Sequence, residues 1–365
     1  MYLIIDAHED IAWNVATFKR DYSRSAFETR AIEVGTIASK DNGDTMLGWP
    51  EYQAGNVAVV FGTLFASPAR LEKFPWATQT YHHPGEASKF YHDQLDIYHR
   101  LEGNHPEKFK LITQKKDLDL IIHHWRHCSS ELPDIKEPPV GIVVLMEGTE
   151  AIEKPDDLNE WWDEGVRIIG LAWHGNKYCG GTGEPGPLSL EGKQLLAVMS
   201  DVGFILDISH MDELAARQAL DMYEGQVIAS HANASSLIRS YQGNRHLSDD
   251  LIRHLISRGG MMGVIPLNHF LDRDWILRGG RNNVSLQMVA EQMDHICQLA
   301  GDALHVGIGT DFDGGFGLQS TPFELDSIAD LQKLVPFLEN LNYSTNDIAA
   351  IMGQNWQHML EYNLP

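Results

Sequence analysis

"LIIDAHEDIAWN", residues 3–14, runs from strand-forming apolar residues into Asp6, His8 and Asp10 at every second position. Alternate residues of a strand share a face, so the stretch reads as a buried strand that ends by turning acid, imidazole and acid in one direction. Three polar groups on one face of a buried strand are costly without a partner. A divalent metal ion is a partner that this set of donors suits.

The same arrangement recurs along the chain. Apolar strands are predicted over 3–8, 58–66, 141–146, 167–173, 204–209, 226–230, 261–267 and 305–310, with helical stretches between the later ones. "LEGKQLLAVMSDVG" (190–203) and "MDELAARQALDMYEG" (211–225) each end in a glycine just before a strand. "SDDLIRHLISRGG" (248–260) offers Ser248 as an N-cap and a glycine pair as its stop. Eight such units, with strands that read as continuous Val/Ile/Leu runs, predict an α/β fold, a closed parallel (β/α)8 barrel of the TIM type. Residues 1–365 are read as a single domain. "KFKLITQ" (108–114) is a ninth, peripheral strand. The segments 15–57 and 67–140 read as insertions over one end, and the stretch from Ser327 (327–365) as a small C-terminal helical cap.

The strand ends carry the chemistry. "GIVVLMEG" ends at Glu147, "FILDISH" at His210, "QVIASH" at His231, and "HVGIGTDFDG" at Asp311 and Asp313. In a barrel these ends converge on one rim, where such folds keep their active sites. The donors suffice for two divalent ions; zinc fits imidazole with carboxylate, and cobalt or manganese remain open. One carboxylate can bridge two ions, and ions ~3.5–4 Å apart can activate a water between them.

Other stretches carry less. His123 and His127 in "HHWRHCS" lie one helical turn apart but lack the glutamate of HExxH, and read as a solvated helix face. "CGGTGEPGPLS" (179–189) has no GK[ST] and reads as a mobile rim loop, and "HHPGEAS" (82–88) as a surface loop. A net charge of -23 argues against nucleic acid and anionic membranes as partners. No apolar run approaches the ~18 residues of a membrane span. Cys128, Cys179 and Cys297 are odd in number and widely spaced, and a strand beginning at Leu3 leaves no room for a secretory signal. The expected setting is a reducing cytoplasm.

From "IIDAHEDIAWN" through "MEG", "GVRIIGLAWHGN", "GFILDISH", "IASHANA", "NRHLSDDLI" and "GIGTDFDG" to "IMGQNW", the chain resembles the membrane dipeptidase (renal dipeptidase) family of dinuclear zinc peptidases, barrels of the metal-dependent hydrolase kind. The resemblance covers nearly the whole chain, most weakly over 67–140. It implies two zinc ions, one held by His8 and Asp10, one by His210 and His231, with Glu147 bridging. It implies that Arg245 binds the carboxylate of a dipeptide substrate and that Asp311 shuttles the proton for a metal-bridging hydroxide. Animal members have a histidine after strand four that holds the scissile carbonyl. Here that position is Trp173 and His174 follows it, so His174, or Trp173 in its place, is the candidate. A homodimer is also implied. The rival readings are a related hydrolase of another bond (N-acyl amino acid, lactone or phosphoester) and a catalytically silent metal-binding or ligand-binding barrel. A two-carboxylate glycosidase suits a histidine-rich rim poorly.

Overall fold

The computed structural model of the chain describes residues 1–71, 76–127 and 137–365. Its apolar runs fold as β1 (Ile4–Glu9), β2 (Val57–Leu64), β3 (Val140–Glu147) and β4 (Val166–Gly170). The second half follows as β5 (Ile205–Asp207), β6 (Val227–Ala229), β7 (Met261–Val264) and β8 (Val306–Ile308). All eight pair in parallel with their neighbours in chain order, and β1 pairs with both β2 and β8, which closes the barrel. Every residue of the eight is buried, as a parallel sheet covered on both faces requires. Closure is tight around β6 to β8. A Cβ at Gly263 or Gly309 would overlap the Ser230 carbonyl oxygen, so both positions need glycine for backbones to approach there.

The peripheral strand is Phe109–Leu111, paired with Val140–Ile142 at the start of β3, while β4 pairs with β3 only from Val144 onward. The C-terminal cap comprises Ile328–Leu334, Val335–Asn340, Thr345–Ala349 and Asn355–Asn363. It grips the chain along β8: Asn355 donates to the carbonyls of Ala303 (2.7 Å), just before the strand, and Val306 (2.9 Å), and the Trp356 indole donates to that of Ile308 (2.9 Å). The opposite rim is left for the chemistry.

Local signals in the sequence were followed where nothing tertiary opposed them. Gly203, at φ 105°, ends the helix Leu190–Val202, and the Ser248 hydroxyl caps Asp249–Ser257 by accepting from Leu251 N at 3.2 Å. The helix expected to stop at Gly225 covers only Glu213–Met222. Tyr223 turns extended, buries its ring, and donates its hydroxyl to the Phe204 carbonyl at 2.5 Å. "HHPGEAS" is not a loop: it opens the helix Pro84–Asn104, with Pro84 at the first position and His83 as its cap. The stretch 179–189 is likewise no mobile loop but an antiparallel hairpin, Cys179–Gly181 with Glu184–Leu188. Cys179 and Cys297 are buried free thiols, and Cys128 lies outside the described residues. Among the described residues no helix is long and apolar enough to cross a membrane.

One carboxylate gathers several ties between the segment 15–57 and the rim. Asp313, fully buried at φ 63°, accepts from Arg20 Nη1 (2.9 Å), the Tyr22 hydroxyl (2.7 Å), the Thr45 hydroxyl (2.5 Å) and Met46 N (3.1 Å). Arg20 spends its other donors on Glu33, twice at 3.0 Å, on Asn14 Oδ1, also at 3.0 Å, and on the Gly43 carbonyl. Asp313, read from the sequence as a rim donor, therefore belongs to this network and not to the gathered donors described below. Replacing a partner in a buried ion-pair network costs about 3–5 kcal/mol. Asp313→Ala should lower the denaturation midpoint accordingly and open residues 20–47 to protease; an unchanged midpoint and digestion pattern would refute the fastening.

Candidate active site

Barrel convergence brings six of the expected side chains together. His8 stands near the end of β1, Asp10 one residue beyond it, and Glu147 is the last residue of β3. His210 and His231 follow β5 and β6, and Asp311 follows β8. Glu147 Oε1 lies 3.1 Å from His210 Nε2, 3.3 Å from His231 Nε2 and 3.7 Å from His8 Nε2. His8 Nε2 is also 3.8 Å from both Asp10 Oδ2 and Asp311 Oδ1. Three overlapping sets have ligand atoms within 4.8 Å of one another: His8, Asp10 and Glu147; Glu147, His210 and His231; and His8, His231 and Asp311. His210 and Asp311 reach inward from left-handed backbone, at φ 66° and 59°, a conformation that non-glycine residues adopt at a cost and that clusters at functional sites.

Burial sets the protonation of the cluster. It holds the His8, His210 and His231 imidazoles well below the ordinary histidine value, with nearby Arg245 acting in the same direction. Neutral rings therefore meet with ring nitrogens facing: the Nε2 atoms of His210 and His231 are 3.1 Å apart. Burial, reinforced by the mutual repulsion of the acids, pushes the Glu147 and Asp311 carboxyls well above the usual carboxylate range. Asp10 is pushed up to about 6. His8 Nε2 is buried without a hydrogen-bond partner, which a buried polar atom tolerates poorly. Neutral imidazoles and crowded carboxyls around an orphaned ring nitrogen are what a divalent cation would satisfy.

A second layer orients these groups. The Ser230 hydroxyl lies 2.8 Å from His231 Nδ1 and bonds Asp207, which also accepts from the backbone N–H of Ser209 and Ser230, each at 2.9 Å. Thr182, at the tip of the 179–189 hairpin, places its hydroxyl 3.0 Å from His210 Nδ1. Thr63 donates to Asp10 Oδ1 at 2.6 Å. Such partners fix the ring orientation and tautomer of ligating histidines. Asp6, the first member of the alternating acid–imidazole–acid run, stands one layer lower: it accepts from Thr310 N at 2.7 Å and from the Thr310 hydroxyl, steadying the turn that presents Asp311.

The cluster opens into a cavity of about 860 Å³. The segments after β1, β2 and β4 line it with the aromatic residues Trp13, Phe65 and Trp173, and those after β6 and β7 with Arg245, Phe270 and Arg273. Arg245 is buried; its Nη2 donates to the His231 carbonyl at 2.9 Å, while Nε and Nη1 have no hydrogen-bond partner among the described residues. Both Trp173 and His174 line the cavity. Strand alternation cannot choose between them, because β4 ends at Gly170 and both lie in the turn beyond. Sequence reasoning did not find Trp13, Phe65, Thr182 or Arg273, which carry no spacing signal; Ser230 and Asp207 were visible only as neighbours of the strand-end histidines.

A closed parallel barrel with imidazoles and carboxylates gathered at its C-terminal rim is a barrel equipped for divalent metal. The chain belongs to the membrane dipeptidase family (peptidase family M19), which it matches over residues 1–362. It is similar to an uncharacterized dipeptidase of Schizosaccharomyces pombe, 28% identical over 228 residues, 59% of this chain and 52% of that protein. The chain thus spans about half the length of that relative. The fold is shared with the probable dipeptidase PvdM from Pseudomonas aeruginosa, at TM-score 0.78 and 18% identity, covering 99% of this chain and 95% of that one. It is shared also with a metallo peptidase from Rhodobacter sphaeroides, solved with a phosphinate mimic of the dipeptide L-Ala-D-Ala, at TM-score 0.74 and 21% identity over 99% of both chains.

Ligating carboxylates must be ionised, and those here hold protons to higher pH than free carboxyls do, so uptake of a divalent ion should expel protons. The sign follows: affinity rises with pH as Asp10 and Glu147 ionise, and the already neutral histidines add no competing release. Calorimetric titration of metal-free protein with Zn2+ near pH 6, in buffers of different ionisation enthalpy, should register net proton release. Zero release would contradict the raised carboxyls.

Proposed function

We propose that this protein is a zinc-dependent dipeptidase that hydrolyses the peptide bond of short substrates with a free C-terminal carboxylate. The observation that carries the reading is Arg245, a buried guanidinium with two unpartnered donors on the wall of the cavity that also holds the Glu147 cluster. A buried guanidinium with donors left unpaired is costly, and a substrate carboxylate would relieve that cost with bidentate geometry a lysine cannot match. The family, the dipeptidase among its relatives and the dipeptide mimic bound by the Rhodobacter protein support the same reading.

In this proposal His8 and Asp10 would hold one zinc ion and His210 and His231 a second, with Glu147 shared between them. Bound there, the ions would supply the Lewis acidity that brings the pKa of a water toward neutrality. Arg245 anchors the terminal carboxylate and thereby limits the substrate to about dipeptide length. Asp311, at the cavity wall beside His8, takes the proton of the attacking water and passes it to the leaving amine. His174, kept neutral by burial, offers a ring N–H to the carbonyl oxygen as charge develops on it. The segment 1–365 acts as one catalytic unit, and a homodimer in a reducing cytoplasm belongs to the same reading.

Asp311→Asn should retain both metal ions while turnover falls by on the order of 10²–10⁴. Metal analysis beside kcat decides it, since parallel loss of metal and activity would make Asp311 a ligand. Arg245→Ala should lower kcat/KM for free dipeptides by roughly ten- to a hundredfold, the value of a charged hydrogen bond. The same change should barely alter hydrolysis of C-terminally amidated dipeptides. An unmodified enzyme that cleaves free and amidated dipeptides equally well would sink the clamp.

A further inference from the structure

The wall around Arg245 carries a second guanidinium. Arg273, in the loop after β7, lines the same cavity and is exposed at its mouth. Tyr241 links the two arginines. Its hydroxyl accepts from the Arg245 backbone N–H at 2.6 Å, and its ring lies under the Arg273 guanidinium, 5.8 Å from centroid to Cζ. Among the described residues no carboxylate lies within 4.0 Å of Arg273, whose one polar contact is a 3.4 Å bond to the Gln242 carbonyl. The acids on either side of it in sequence are engaged elsewhere. Asp272 pairs with Arg278, and Asp274 accepts from the Ser240 hydroxyl at 2.8 Å. A chain of net charge -23 thus keeps an uncompensated cation at one place on its cavity rim.

We propose that Arg273 is a specificity-determining residue that selects dipeptides whose C-terminal residue bears a side-chain carboxylate. This rests on the dipeptidase reading and on Arg245 as the anchor of the main-chain carboxylate. With that carboxylate held deep in the wall, the C-terminal side chain is the substrate group nearest the loops after β6 and β7. The other substrate residue extends toward Trp13 and Phe65, across the barrel mouth. Arg273 lines the same cavity and is joined to the anchor through Tyr241, so an acid one or two methylenes out from the Cα would meet it, whereas an amide of the same shape brings no charge.

The test compares Ala-Glu with Ala-Gln, each with L and with D stereochemistry at the C-terminal residue, on zinc-loaded enzyme. The unmodified protein should favour Glu over Gln by about fivefold in kcat/KM, the upper end for a pair that stays partly in water. The preference should reside in KM and shrink in high salt. Arg273→Gln should bring the ratio to about one, and Arg273→Lys should keep part of it. Equal rates for Glu and Gln in the unmodified enzyme, or a ratio that Arg273→Gln leaves unchanged, overturn the proposal while dipeptide cleavage itself stands. A second measurement covers failure of the underlying reading. If no dipeptide is cleaved, calorimetric binding of free glutamate against glutamine decides: a preference lost in Arg273→Gln upholds the acidic subsite, and no preference overturns it.

Discussion

One carboxylate oxygen, Glu147 Oε1, lies within 3.7 Å of three imidazole nitrogens drawn from three separate strand ends. The rest of the rim answers to that meeting. It needs a barrel, because only closure carries the ends of β1, β3, β5 and β6 to one point. It needs burial, which keeps the rings neutral and the acids reluctant to ionise. It needs the Ser230–Asp207 and Thr182 contacts, since a ring free to turn would present the wrong nitrogen.

Around this centre the cavity divides by the order of the strands. The segments after β1, β2 and β4 bring Trp13, Phe65 and Trp173 to it, and those after β6 and β7 bring Arg245 and Arg273. Between these residues the cavity is lined by four of the gathered donors, Asp10, Glu147, His210 and Asp311.

The sequence disclosed what depends on period and position. Continuous Val/Ile/Leu runs announced buried parallel strands, and polar residues closing those runs announced a shared rim; hence His8, Asp10, Glu147, His210, His231 and Asp311 could be grouped before any coordinates. Arg245 became legible only through family resemblance, because "NRH" before a capping serine looks like an ordinary helix start. Asp313 misled, since its spacing matches that of a rim donor and its true partners, Arg20 and Tyr22, lie almost the whole chain away. The 179–189 hairpin was hidden by glycines that suggest mobility. Helix ends failed where a distant contact outweighed local preference, as Tyr223 shows by reaching for Phe204.

The bonds from Arg20 and Tyr22 to Asp313 span 293 and 291 residues. A chain leaving the ribosome therefore makes His8 and Asp10 long before it makes what fastens the segment next to them. Until β8 has emerged, β1 lacks one neighbour, the barrel is open, and the first and last donors cannot meet. Such long-range closure is slow, and it orders events in synthesis: the nascent N-terminal half holds isolated donor side chains, and the complete cluster is among the last parts of the molecule to assemble.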